Sequence, residues 1–278
     1  MSVVLAALTS DPNLLRCELH RLAGQVLVQT EPRANAVGVG AYAQDEVLLR
    51  RLSSAEGEPS LVGLAPPGES EALLFHASRL PVGQSLEENT QPFRSRRWLF
   101  AHQGSVSGFD ELRASLLASL PEHLQRQVHG ATDSEVLFAL FLRQLRDVGR
   151  TDDPRLEAEV AGRLLADTAR EVIKRSVDAG IPRASTLNLV ATNGSVLVAC
   201  RFGEEPLFYS RLEGGAECEP CGVTASSSES QPAVGAHRRR RTVVVASHLK
   251  RPGSWVELPR GTTLAVGMDL QVQLLNGG

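Results

Sequence analysis

The stretch "WLFAHQGSVSGF", Trp98 to Phe109, decides how the chain is read. An apolar run, Trp98 to Ala101, stops at His102-Gln103-Gly104, and small polar residues lead on to Gly108-Phe109. Apolar residues running into a glycine turn predict a buried strand whose end presents backbone and polar groups to a site. Gln103-Gly104 is then either part of working chemistry or only the turn that ends the strand.

Outward from that strand, elements come in blocks. Upstream, Ser2–Leu8 is apolar enough for a buried strand and Asp11–Leu22 reads as a helix. Two short strands, Gly24–Gln29 and Val37–Tyr42, flank a Pro32 turn, and Val47–Leu52 and Leu73–Arg79 are further strands. Residues 53–70, rich in Ser, Glu, Gly and Pro, read as a loop. Downstream, Asp110–Leu120 is helical with Asp110 as N-cap. The clearest helix is Thr132–Val148, where Val136, Leu137, Leu140, Phe141, Leu145 and Val148 recur at helical spacing. Thr132 and Glu135 make a capping-box pattern at its start. Pro154–Ala179 is the next helix. The strands Ser185–Thr192, Ser195–Phe202, Leu207–Leu212, Thr242–Ser247, Trp255–Leu258 and Thr263–Val266 follow, with Asn193-Gly194 as a type I′ hairpin turn. Strands, then helices, then strands suit an α+β layer fold and not a parallel βαβ wind.

The 278 residues, 42% hydrophobic with a net charge of -3, suit one large soluble domain or two small ones. Aromatics at 4% predict a core of Leu, Val and Ala. No apolar run reaches the roughly 18–20 residues that span a bilayer. The start, MSVVLAALTSDP, lacks a basic n-region, so no signal peptide, no membrane and a cytoplasmic setting are expected. The mild acidity gives no indication of nucleic acid.

A disulfide framework is not expected among Cys17, Cys200, Cys218 and Cys221. Cys218-Glu-Pro-Cys221 could supply half a zinc site, with His237 the nearest extra ligand in sequence, or could be only a turn containing Pro220 and Gly222. No second CxxC exists, and neither metal nor cofactor is expected. Residues 222–241 form a Ser-rich insert ending in a basic run, expected as a mobile loop. His237–Arg241 in it is either a contact for an anion or an acidic protein partner or a solvated loop end.

His76, Asn89, His102, Gln103 and Asp133 are polar groups beside apolar runs. Singly, each has a structural explanation; Asp133, in a first helical turn, suits the helix dipole alone. In order, they resemble the class II glutamine amidotransferase-like proteins. "LFHASRLPVGQSLEENTQPF" (Leu74–Phe93) resembles that family's HxRxAx…GxxxxxENTHPF segment, and "WLFAHQG" its W-x-x-AHNG. "ATDSEVLFALFL" resembles its (S/T)DSE helix, and "RTVVVASHLK…GSWVELPRGT" its late strand and W-x-x-(V/I)P-x-G. "NAVGVGAY" sits where the family has DGWGIGWY. The nearest likeness is to small stand-alone amidohydrolases, the branch with ergothioneine-pathway γ-glutamyl hydrolases and glutathione-degrading relatives.

The resemblance implies a four-layer αββα sandwich of two stacked antiparallel sheets, of the N-terminal nucleophile type, in one domain spanning residues 1–278. In active members Met1 is removed and a cysteine at position 2 attacks the side-chain amide of glutamine or another γ-glutamyl group, with its own α-amine as base. An Arg on the HxR strand and the Asp of DSE hold the substrate's carboxylate and amine. The Asn and Gly of HNG line the oxyanion hole.

Carried over residue by residue, the pattern departs at the reacting positions. Position 2 is Ser2, and the Asn of HNG is Gln103. The Asp and Trp of DGWG are Asn35 and Val37. The clamp Arg falls on Ser78, with Arg79 one place later, which on a strand is the opposite face unless a bulge returns it. Gly104, Asp133 and the scaffold residues His76, Asn89, Thr90 and His102 match. Losing one oxyanion donor costs roughly 3 kcal/mol. Gln103 carries the amide one methylene, about 1.5 Å, farther out, and a misplacement of about 1 Å can cost around 100-fold in rate. Losing the carboxylate's Arg costs on the order of 2–5 kcal/mol of binding.

The expectation is therefore a degenerate amidotransferase-like domain acting as a ligand-binding or protein-interaction module. It keeps a pocket for a glutamine-like small molecule and engages a partner through 222–241. The rival is an active amidohydrolase using Ser2 on glutamine or a γ-glutamyl compound. A third reading makes Cys17 the nucleophile after processing, against which stand its helical position and the lack of a small-residue cleavage site.

Overall fold

The computed structural model describes residues 2–44, 46–52, 59–84, 86–215 and 217–276. The strands are β1 (Val3–Thr9), β2 (Ala36–Ala43), β3 (Glu46–Leu52), β4 (Ala72–Ser78), β5 (Phe93–Ser95), β6 (Trp98–Ser105), β7 (Thr186–Thr192), β8 (Leu197–Phe202), β9 (Phe208–Glu213), β10 (Arg241–Ala246), β11 (Val256–Glu257), β12 (Thr262–Val266) and β13 (Val272–Asn276). The helices are α1 (Leu15–Leu22), α2 (Leu86–Asn89), α3 (Phe109–Ala118), α4 (Glu122–Gln125), α5 (Asp133–Asp147), α6 (Ala158–Asp178) and α7 (Pro232–Arg239). One sheet runs β11-β9-β10-β1-β4-β2-β3 and the other β13-β12-β8-β7-β6-β5. All the pairings are antiparallel.

β1, VVLAALT, shows no apolar–polar alternation because both its faces are buried. Val3, Leu5 and Ala7 pack with Leu15, Leu19 and Leu22 of α1. Val4, Ala6 and Leu8 face the other sheet and meet Leu99, Ala101 and Val190. β6 mirrors this. Its Leu99 and Ala101 join the layer between the sheets, while Trp98 and Phe100 turn to α5. There Trp98 meets Phe141 edge-on at 5.1 Å and Phe100 stacks on Phe138 at 5.2 Å. Each such side chain, fully buried, stabilises by about 1.5–3 kcal/mol. The layers are thus helix, sheet, sheet, helix, the expected α+β four-layer αββα sandwich. Tyr42 of β2 ties the sheets together, its hydroxyl lying 2.8 Å from the carbonyl oxygens of both Arg97 and Thr192.

Several local expectations are corrected. Gly24–Gln29 forms no strand. The turn after α1 continues helically, with Val26 N donating to Leu22 O, and Val26 keeps only an isolated bridge to Leu249. Val26 and Val28 are apolar because they pack on α1, not because they pair. Asp110 does not cap its helix; Gly108, at φ +64, does, and Asp110 lies in the first turn. The Asn193-Gly194 turn is not type I′, since only Gly194 has positive φ, at +92. Asn193 closes it through its side chain, Oδ1 accepting from Ser195 N and Val196 N at 2.9 Å. Segment 222–241, expected as a loop, carries α7. Pro232 opens that helix and Val234 is buried against Leu14 and Val223. Of the loop expected over 53–70, residues 53–58 lie outside the described residues, and Leu61 and Leu64 pack into the α1 cluster. β13, half exposed at a sheet edge, shows too little alternation to be read from sequence. Among the described residues no helix is long and apolar enough to cross a membrane.

Gly38 of β2 faces the Gln91 carbonyl so closely that a Cβ would overlap it. Because the neighbour is backbone, it cannot swing away. Gly38→Ala is expected to lower stability by about 1–3 kcal/mol, read as a lower urea midpoint at unchanged m-value. Val82→Ala, at a fully exposed position, is expected to stay within about 0.5 kcal/mol.

Candidate active site

At one end of the sandwich the sheets part around a cleft of about 630 Å³. Strand alternation aims the residues into it. Val4 pairs with His76 across β1 and β4, so the even positions Ser2, His76 and Ser78 share the face toward the second sheet. On β6 the odd positions Leu99 and Ala101 fill the same layer, and Gln103 continues it into the cleft. Ser2, His76, Ser78, Arg79, His102, Gln103, Gly104 and Asp133 all line the opening. The scaffold residues Asn89 and Thr90 do not line it.

Arg79 is not on the opposite face. β4 ends at Ser78, so alternation no longer governs the next residue, and Arg79 lines the same cleft as Ser78. Its Nη1 donates to Arg33 O at 3.2 Å. Asn35 holds this turn through two hydrogen bonds with Leu80, accepting from its N–H at 2.8 Å and donating to its carbonyl at 3.0 Å.

Gln103-Gly104 is strand, not the turn after it. β6 runs on to Ser105, and Gly104 pairs with Leu187 of β7. Gly104 has φ +135, and a Cβ there would run into the Thr186 carbonyl, so position 104 admits only glycine. Gln103 is buried, with Oε1 accepting from Asn188 Nδ2 at 3.0 Å. The same Asn188 nitrogen reaches the carbonyls of Glu205 and Pro206 at 3.2 and 3.3 Å. With its oxygen pinned, the Gln103 amide presents its NH2 as the unengaged donor.

The start of α5 is held from behind. Glu135 does not close a capping box with Thr132, whose hydroxyl makes no capping bond. Its carboxylate instead accepts from His129 N at 3.0 Å and Gly130 N at 2.6 Å, and Asn89 Oδ1 accepts from Ala131 N at 3.1 Å. Three successive N–H groups are thereby fixed, and Asp133 with them. Asp133 Oδ2 accepts from Val106 N at 2.7 Å and Oδ1 from the Ser134 hydroxyl at 3.0 Å. His102 joins α5 to the sheet, with Nδ1 2.9 Å from Ser134 Oγ and Nε2 3.1 Å from Thr186 O. A carbonyl only accepts, so Nε2 carries a proton. Burial, and then the neighbouring His102, push the fully buried His76 down to about 3. His76 is therefore a neutral wall and not a base. Arg183, Glu205, Gln91 and Ser134 also line the cleft. Arg183 and Glu205 come from loops without periodicity, and nothing in their local sequence marks them. Gln91 sits inside the ENT-x-PF segment and bonds His102 N at 2.6 Å, so its motif could have flagged it. Among the described residues the cleft gathers no metal-binding group of His, Cys, Asp or Glu.

Residues 25–274 match the profile of the glutamine amidotransferases class-II. The chain belongs to that family. A probable glutamine amidotransferase of Saccharomyces cerevisiae, DUG3, is 26% identical over 240 residues, 79% of this chain and 63% of the yeast protein. This amidotransferase-family chain thus spans less than two thirds of that curated relative. A glutamine aminotransferase class-II domain protein of Silicibacter pomeroyi shares the fold at a TM-score of 0.61 with 22% identity, covering 99% of both chains. A predicted glutamine amidotransferase of Pseudomonas aeruginosa does so at 0.58 with 18% identity over 98% of each chain. The glutamine phosphoribosylpyrophosphate amidotransferase of B. subtilis, at 0.55 and 14% identity, matches 99% of this chain over 49% of its own. The fold is the N-terminal-nucleophile type of those amidotransferases.

His76 links the site to acid stability. The unfolded chain takes up this proton from about pH 6.5, the folded chain only near pH 3. Between those values acid favours the unfolded state, so His76 contributes a loss of about 1.4 kcal/mol per pH unit on acidification. His76→Gln is expected to flatten the urea-measured stability profile between about pH 6 and pH 4. An unchanged profile would show that His76 is protonated in the folded chain.

Proposed function

We propose that the cleft binds a glutamine-like α-amino acid and that ordinary glutaminase turnover has been lost. The observation that carries this reading is the simultaneous change at three reaction positions. Ser2 offers a hydroxyl, far harder to ionise than a thiol. Gln103, with its oxygen tied to Asn188, puts a longer amide where the family has asparagine. The strand position of the clamp is Ser78, so among the described residues a guanidinium at the cleft comes from Arg79 on the following turn or from Arg183. Effects on one site are not additive, but each acts on a different element of the transition state: nucleophile, oxyanion and substrate carboxylate.

Ligand binding does not need those elements intact. Arg79 and Arg183 line the cleft together with Asp133 and Glu205, so it holds both signs of charge that a zwitterion needs. Asp133, rigidly held by Val106 N and α5, is the group for the amine. The yeast relative's name, probable glutamine amidotransferase, agrees with this ligand class. We read the chain as a single amidotransferase-like domain. A protein partner at 222–241 would meet Arg238, Arg239 and Arg241, since Val234, His237 and Arg240 of that segment are buried.

Titration calorimetry with L-glutamine is expected to show binding, weakened by Asp133→Asn about 30-fold or more, as loss of a charge partner worth about 2–5 kcal/mol implies. No ammonia release and no covalent label from an electrophilic glutamine analogue are expected. Labelling at Ser2 that Ser2→Ala abolishes, in protein shown by intact mass to lack Met1, would establish the Ser2 amidohydrolase and end the degenerate reading. The variant Ser2→Cys, Ser78→Arg, Gln103→Asn, with Met1 removed, is expected to gain glutaminase activity.

A further inference from the structure

The excursion between β9 and β10 folds back on α1 and brings three thiols and an imidazole together. Cys17 Sγ, on the buried face of α1, lies 3.3 Å from Cys221 Sγ. The ligand atoms of Cys17, Cys218, Cys221 and His237 all lie within 4.8 Å of one another. Four ligands about 2.3 Å from a tetrahedral zinc ion stand about 3.8 Å apart, so closing on an ion asks for shifts of about 1 Å.

The backbone prepares this arrangement. Cys218 and Val223 pair across a tight turn, with N–H to O distances of 2.8 and 3.0 Å, and Cys221 N donates to Cys218 O at 3.2 Å. Gly222, at φ +64, closes the turn and leaves both thiols in the cluster. On α7, His237 Nδ1 lies 2.7 Å from the Ala233 carbonyl, which fixes the proton on Nδ1 and the lone pair on Nε2. Nε2 is buried without a hydrogen-bond partner. An unpaired buried acceptor costs about 1–3 kcal/mol, a cost that a cation on Nε2 would remove.

We propose that Cys17, Cys218, Cys221 and His237 form a structural zinc(II) site of the Cys3His type. Two thiols from one tight turn, a third from a helix and an imidazole oriented by a carbonyl match the donor set and second shell of such sites. Cys17, Cys218 and His237 are buried, and four protein ligands leave no open position, which fits a structural role. The apolar cluster around the site is small, formed by Leu14, Val223 and Val234 with Ala236 packed against them. Zinc binding displaces three thiol protons to solvent and changes no oxidation state. Three thiolates and Zn²⁺ leave one negative charge on the site. Because the thiols bind as thiolates, metal affinity is expected to fall on acidification. The excursion leaves the sheet at Glu213 and returns at Arg241, whose carbonyl accepts from Ser10 N just past β1, about 20 Å of strand from Ser2, and none of the four ligands lines the cleft.

Full-length chain purified under reducing conditions without chelator is expected to carry one zinc ion per chain by elemental analysis. Cobalt(II) exchanged for it should give the tetrahedral spectrum with thiolate charge-transfer bands. Chelator should release the metal and expose three further thiols to a thiol reagent. Cys218→Ser and His237→Ala are expected to reduce zinc to background, His237→Cys to retain it, and Cys200→Ala to leave it unchanged. Should the ligand variants fail to fold, the zinc content and chelator response of the unaltered chain decide. A reduced chain that neither contains zinc nor takes it up, or a Cys17–Cys221 disulfide found by peptide mapping in zinc-free protein, overturns the proposal.

Discussion

The contact between the two sheets is the constraint on which the rest of the structure depends. β1 and β6 are covered on both sides, so their side chains must satisfy two interfaces at once. Val4, Ala6 and Leu8 fill one side of the inter-sheet layer and Leu99 and Ala101 the other. Close approach is set where Gly38 leaves no room for a Cβ and where the Tyr42 hydroxyl reaches carbonyls across the gap. At one end the same alternating positions turn polar: Ser2 after Val4, His76 and Ser78 after Leu74, Gln103 after Ala101. The cleft is the hydrophilic end of the layer that makes the core. The residues are aimed into it by the same period of two that buries their neighbours.

The polar groups there are expensive to bury, and the surrounding backbone answers most of them. Asn89 and Glu135 take the N–H groups of residues 129–131, His102 bridges Ser134 and Thr186, and Asn188 pins Gln103. These bonds hold the frame of the site, while both His76 ring nitrogens, Thr132 Oγ1 and Asn188 Oδ1 stay buried without a partner. The bonds preserve the orientation of Asp133 whether or not a reaction follows. On the proposed reading, the reacting positions change while these bonds keep the frame of the site. The motif segments ENT-x-PF and TDSE owe their residue types to this frame as much as to chemistry.

Two regions of the chain thus have different kinds of support. The cleft rests on two sheets and the long helices α5 and α6. The 218–239 excursion rests on a small apolar patch, the Glu18–Arg240 ion pair and the thiol–imidazole cluster. A buried ion pair adds little net stability, because desolvation offsets much of its attraction. The proposed zinc ion would supply what the patch lacks, a direct link between chain segments some 200 residues apart.

Much of this is legible in the sequence. The helical spacing along Val136–Leu145 marks α5, the apolar runs mark β1 and β6, and the ordered motifs contain most of the cleft residues. Local pattern records which face of an element is buried, and an ordered set of motifs records a shared ancestry of sites. Neither records partners. The apolar Val26 and Val28 do not say whether they pair or pack, and Thr132 with Glu135 matches a capping box although Glu135 serves residues 129 and 130. Arg79 looks misplaced in the motif because the end of β4 is set by its neighbours β1 and β2. Cys218 and Cys221 meet Cys17 only through the return of the chain onto α1. By itself the sequence determined the long helices, the main buried strands and the residue types of the cleft. The tertiary structure alone decided where strands end and which distant side chains meet, because long-range contacts are chosen by packing and desolvation over the whole chain and not by any local period.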